Sequence, residues 1–228
     1  MKKKFIIFTN KHWNIEIFLK KKGLLKGTWK ILKKKSQLNT KSIKRYNPNF
    51  IFFPNLNINL DKEIINNFNC VCFHETDLPY GRGGSPIQNL ILLRKKFTKL
   101  TALKIENGIK VDEGKIYLKR KIKLNGTGLD IYKNCAEEII KMINVIISKK
   151  LKPKKQIGKI VHFKKRKPKD SKIPNKVSKL SEIYDIIRML DIPGYPKAFI
   201  KSKNFQVSFD KSKIKNNELT AKATFKLI

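Results

Sequence analysis

A chain of 228 residues is long enough to bury a core without metal or disulfide staples, and its three cysteines, Cys70, Cys72 and Cys135, are an odd set with no C-x-x-C pair. That composition excludes a disulfide scaffold and reads as reduced thiols; with no histidine cluster at ligand spacing, no metal site is expected. The formal net charge of +36 favours anionic ligands such as nucleotide diphosphates. The lysines run from end to end, however, and with the surplus of isoleucine and asparagine they read as compositional drift, not as a nucleic-acid-binding stripe.

The first apolar run, Phe5–Phe8, is too short for a signal peptide or a membrane span, so a cytoplasmic protein with no membrane partner is expected. Residues 4–9 read as a first strand. Asn10 is a possible cap for a helix with Trp13, Ile17 and Phe18 or Leu19 on one side. Trp29–Leu32 is a second short strand. Residues 33–47 are lysine-rich, with Ser36 or Thr40 available to cap a short helix, and Asn49–Phe53 is a continuous apolar run suited to a strand covered on both faces. A capped helix starting at Asp61 leads to the strand Asn69–Phe73, with His74 at its carboxyl end. Strands alternating with helices predict an α/β fold, a doubly wound and mostly parallel sheet with right-handed crossovers. No G-x-G-x-x-G follows the first strand, so a dinucleotide cofactor is not indicated.

A helix is predicted from Pro86 to about Lys95, strands over 100–105 and 116–124, and turns at Asn107-Gly108 and Glu113-Gly114. Thr127 caps a long helix with Ile131, Cys135, Ile139, Met142 and Ile146 along one stripe. This completes a first domain over residues 1–150. Residues 151–228 form a small α+β appendage: an edge strand near 160–163, a helix over 178–190 with Leu180, Ile183, Ile186, Ile187 and Leu190 inward, a proline turn, and a hairpin of 205–209 with 220–227.

Residues 74–89 differ from everything around them. Gly81, Gly83 and Gly84 crowd a single arginine, Arg82, between Pro79 and Pro86. Glycines let a ligand approach the backbone, and Ser85 followed by Pro86 looks like an N-cap and first helical residue, so the loop is expected to present backbone N–H groups beside His74. In open α/β sheets ligands bind at this carboxyl edge. The bland alternative is a tight strand-to-helix connection with a buried, hydrogen-bonded histidine.

His74-x-x-x-Leu78-Pro79-x-x-Arg82-Gly83-x-x-Pro86 resembles the signature loop of the folate-dependent formyltransferases, and Asp112-x-Gly114-x-Ile116, 38 positions after the histidine (112 − 74), matches that family's second motif. Arg166–Asp170 and the run from Ile186 to Phe199 resemble later family segments. The resemblance implies 10-formyltetrahydrofolate as formyl donor, a primary amine as acceptor, and a tetrahedral intermediate handled by two catalytic side chains. His74 would donate to the oxyanion or leaving nitrogen, and Asp112 would take the amine proton. Arg82, Gly83, Gly84, Ser85, Cys72 and Asn89 are the accompanying substrate-binding candidates. Cys72 stands where many members carry an asparagine, which leaves the oxyanion to His74 and a backbone N–H, or to Asn55 or Asn89. Because the segment after Phe199 is short, the expected acceptor is a nucleotide-linked amino sugar, with methionyl-tRNA or a catalytically inactive binding module as alternatives. Monomer and homodimer both remain open.

Overall fold

A computed structural model describes residues 2–228. Contacts divide it into two compact units at points other than position 150. One comprises the chain up to Arg82 with Lys99–Ile122 and Lys133–His162; the other comprises Gly83–Thr98, Lys123–Tyr132 and Phe163–Ile228.

The first unit is built on strands β1 (Lys4–Phe8), β2 (Thr28–Leu32), β3 (Phe50–Pro54), β4 (Cys70–His74), β6 (Phe97–Lys104) and β7 (Ile116–Lys123); the intervening β5 (Tyr80–Gly83) lies outside this sheet. The order is β2-β1-β3-β4-β6-β7. The first four strands pair in parallel, as the strand–helix alternation predicts, and β6 then runs antiparallel to β4, Cys72 opposite Leu103 and His74 opposite Thr101. The sheet is therefore mixed but mostly parallel. Its central strands are apolar on both faces because both are covered. Ile6, Phe8, Ile51, Phe53, Cys70 and Cys72 enter one core cluster, while the alternate residues Phe5, Ile7, Phe52, Val71 and Phe73 are equally buried on the other side. There Trp29 stacks on Phe5 at 4.7 Å between ring centroids.

The helices of this unit start from local hydrogen bonds, not always at the expected residue. Helix α1 (His12–Lys21) begins after Lys11, so Asn10 is not its cap. Helix α2 (Thr40–Tyr46) is capped by Asn39, whose side chain accepts from Ser42 N, and neither Ser36 nor Thr40 does this. Helix α3 (Lys62–Asn67) is capped by Asp61, as its sequence suggests. Thr127 and Asp130 exchange hydrogen bonds at the start of α5 (Gly128–Ser148), with Asp130 N donating to Thr127 Oγ1 at 3.2 Å. Ile131, Cys135, Ile139, Met142 and Ile146 are all buried along that helix.

In the second unit, helix α4 (Pro86–Leu92) packs against α6 (Leu180–Leu190). Ile186, Ile187, Met189 and Leu190 are buried, whereas Leu180, expected inward, is 39% exposed in the first turn. The terminal hairpin is longer than its alternation suggests, β10 (Phe205–Lys215) with β11 (Glu218–Leu227), and gains a third antiparallel strand, β9 (Ala198–Lys201). Among the described residues no helix is long and apolar enough to cross a membrane.

Candidate active site

The parallel strands deliver β4 to the carboxyl edge of the sheet with His74 as its last residue. Its Nε2 lies 2.9 Å from the Gly81 carbonyl oxygen. A carbonyl can only accept, so Nε2 carries the hydrogen and Nδ1 the lone pair. Burial pushes the imidazole below its ordinary pKa, and the Gly81 carbonyl and the nearby negative charge of Asp112 offset this only in part. The ring is therefore neutral near pH 7. Thr76 Oγ1 also donates to Gly81 O, at 3.1 Å, and Thr101 Oγ1 to Thr76 O at 2.6 Å, which fixes the chain that turns back over the histidine. Lys119 holds the same turn from β7 through Asp77 and the Leu78 carbonyl.

Asp112 sits in a short 3-10 turn, Val111–Glu113, immediately before Gly114. A Cβ on Gly114 would stand 2.0 Å from the Lys104 carbonyl oxygen, so the second motif needs glycine there because two backbones touch. Gly114→Ala must push this turn off β6. We expect a loss of about 1–3 kcal/mol of stability, read from denaturant midpoints, together with a fall in activity; unchanged midpoints would mean the contact yields freely.

Gln156 is the residue the sequence reading missed. Its Nε2 donates to the carbonyls of Asp112 at 2.8 Å and Gly114 at 2.9 Å, while its Oε1 accepts from Arg82 Nε at 3.3 Å and Nη2 at 2.9 Å. Arg82 Nη1 also approaches Glu113 Oε1 at 3.5 Å. Its segment thereby clamps the turn carrying Asp112 to the arginine of the glycine-rich run. No local periodicity marks a glutamine for that task.

The other substrate-binding candidates have structural partners. Residues Tyr80–Gly83 form β5, which pairs with β8 (Val161–Phe163), so this stretch is a strand and not a loop offering its N–H groups. At Gly83, φ is +101° and a Cβ would lie 2.2 Å from Phe163 O; at Gly84 it would lie 2.6 Å from the Lys165 side chain. Ser85 is left-handed (φ 52°) and makes no capping hydrogen bond; its Oγ accepts from Arg166 N at 3.1 Å, although Pro86 does open α4. Asn89 Nδ2 donates to the carbonyls of Gly84, Ser85 and Lys164 at 3.1, 2.9 and 3.0 Å, so its amide is engaged in holding the backbone. Cys72 is buried, and burial followed by the charge of Glu75 pushes its thiol up to about 12, so it stays protonated.

A polar chain crosses the rim of the same sheet. Asn14 Nδ2 donates to Thr9 Oγ1 at 3.1 Å and to Asn55 Oδ1 at 2.8 Å, and Asn55 Nδ2 donates to the buried carboxylate of Glu75. Asn55 follows β3 in a left-handed conformation (φ 54°). It is thus committed to Glu75 and Asn14 on one side of the rim. Burial pushes Glu75 up to about 7. The segment continuing from Asn55 and the segment leading to Asp112 line a cavity of about 240 Å³, with Leu56, Ile58, Leu60, Ile65, Ile105 and Val111 as its apolar wall. Among the described residues no group of three His, Cys, Asp or Glu side chains is placed to hold a metal ion.

Residues 168–226 match the family model for the C-terminal domain of methionyl-tRNA formyltransferase. The chain is 33% identical over 211 residues to methionyl-tRNA formyltransferase of Campylobacter lari; this covers 88% of the chain but 61% of that relative, so the chain spans about three-fifths of its length. It superposes on a methionyl-tRNA formyltransferase from Clostridium thermocellum with a TM-score of 0.93 and 40% identity over 99% of both chains. A 4-N formyltransferase from Francisella tularensis shares the fold, with a TM-score of 0.64 at 18% identity over 88% of this chain and 93% of that one. These matches show that the chain belongs to the folate-dependent formyltransferase family.

Proposed function

We propose that the chain is an N-formyltransferase using 10-formyltetrahydrofolate, with the amino group of methionyl-tRNA as its acceptor. The observation that carries the chemistry is the half-buried imidazole of His74, neutral and sensing the negative charge of Asp112, at the carboxyl end of β4. The donor supplies the formyl carbon on a nitrogen that must leave. Asp112 is the base that takes the proton of the attacking amine and hands it on to His74; with Nε2–H fixed on Gly81, the imidazole receives that proton on Nδ1 and delivers it to the departing nitrogen. This refines the expectation that His74 is simply a donor. With the Cys72 thiol protonated and the Asn55 and Asn89 amides engaged elsewhere, none of these three side chains takes the oxyanion role of the family asparagine. The apolar slot of Leu56, Ile58, Leu60, Ile105 and Val111, with Glu106 and Asn107 at its edge, suits the flat ring of the donor.

The acceptor reading departs from the amino sugar expected from the short C-terminus. That segment matches a methionyl-tRNA formyltransferase domain model over residues 168–226, and the Clostridium thermocellum chain of that description is covered over 99% of its length, so brevity no longer argues against tRNA. The sugar-directed likeness is one of fold. Incubating the protein with 10-formyltetrahydrofolate and either methionyl-tRNA or a panel of nucleotide-linked amino sugars tests the choice. Formylmethionyl-tRNA with kcat/KM at least 100-fold above any sugar is expected; the reverse ranking overturns the acceptor, and no turnover with either overturns the enzyme.

A further inference from the structure

The second unit contains a cavity of about 610 Å³ between the segment that leaves α4, the turn after β7, and α6. Its floor is rigid. Arg188, buried on α6, donates through Nη1 to the carbonyls of Leu124 at 2.9 Å and Gly126 at 2.8 Å and through Nε to Asp185 at 2.6 Å, and Leu124 N donates to Lys96 O at 3.0 Å. Two loops and a helix are thereby tied together around one opening.

What lines the opening is cationic and aromatic. Lys95, Lys96 and Lys123 are exposed and, among the described residues, form no ion pair. The carboxylates nearby are already matched, Asp185 by Arg188 and Glu182 by Arg94. Phe97 is 44% exposed at one wall. Tyr184 lines another, with the Arg188 guanidinium 5.5 Å from its ring centroid. Three uncompensated ammonium groups beside two aromatic rings are the chemistry of a nucleotide: phosphates are neutralised by lysine, and a base, unstacked from its neighbours, lies on a ring. The lysines come from two separate segments, which suits a strand of several phosphates better than one. The composition of the chain does not explain this, because drift towards lysine scatters charge without supplying rings or a braced floor.

We propose that this cavity binds a single-stranded RNA segment, with Lys95, Lys96 and Lys123 on its phosphates and Tyr184 and Phe97 under its bases. The proposal rests on the reading of an RNA acceptor and adds to it a docking site within the second unit.

Fluorescence anisotropy with a labelled, non-aminoacylated octauridylate tests it on the 228-residue chain without any formyl donor. The triple variant Lys95→Gln, Lys96→Gln, Lys123→Gln should bind at least tenfold more weakly and lower the slope of log K against log salt by about 2, three contacts at roughly 0.7 each. Tyr184→Leu should weaken binding roughly fivefold or more with the salt slope unchanged, and Tyr184→Phe should restore it. A control triple on the terminal hairpin, Lys213→Gln, Lys215→Gln, Lys226→Gln, removes the same charge. If it loses as much as the cavity triple, affinity comes from diffuse charge and the proposal fails. It fails also if adenosine monophosphate binds as tightly as the oligonucleotide, since the site would then belong to a free nucleotide. Because no turnover is measured, a protein that binds here yet never formylates methionyl-tRNA would refute the proposed activity alone.

Discussion

Replacing His74 with alanine is expected to lower formyl transfer by at least two orders of magnitude, and Asp112→Asn to do the same, with the fold intact. A positioned proton-transfer group contributes about 10²–10⁴ in rate, and the imidazole is held in one tautomer by the Gly81 carbonyl. Both losses should fall on kcat more than on KM for the donor, since neither side chain lines the apolar slot. The native pH profile should fall on the acid side as His74 takes a second proton, with a midpoint below the ordinary histidine value because burial disfavours the cation. Single-turnover rates and thermal melts of both variants decide the matter. Near-normal rates in folded protein would remove these residues from the chemistry.

Glu75→Gln is expected to become progressively stabilising as pH rises. The folded-state pKa of Glu75 is raised from an ordinary 4.5 to about 7 by burial. Between those values the folded state binds more protons than the unfolded one, so the native protein loses stability with rising pH through this group and levels off above about 7. Glutamine cannot ionise and still accepts from Asn55 Nδ2. The stability difference, variant minus native, should therefore grow by about 3 kcal/mol between pH 4.5 and pH 8, or roughly 2–4 °C of melting temperature per kcal/mol for a chain of this size. A difference that stays constant across that range would show that the carboxyl is not titrating in the fold.

How far the sequence could be read depended on the range of the interactions. β3 and β4 are legible because a strand covered on both faces must be apolar at every position, and Phe50–Phe53 and Cys70–Phe73 are. The helix opened by Pro86 is legible for the same local reason, and so is the glycine at 114 once its motif is seen. The reversal of β6 is not legible, since its burial pattern is the same whichever way it runs beside β4. Ser85 resembles a cap in every local respect, yet its left-handed backbone turns the hydroxyl to Arg166 N, a partner 81 positions away. Glu75 carries no local sign of burial, and only the fold shows it buried against Asn55, 20 positions earlier.

The clamp made by Gln156 bears on how this protein can be recombined. One amide reads both the arginine of one signature segment and the peptide groups flanking the acid of another, and it is supplied by a third stretch with no signature of its own. Chimaeras that import either signature from a relative therefore inherit a dependency at position 156, and a graft chosen by signature alone would arrive with its carboxylate loosely aimed.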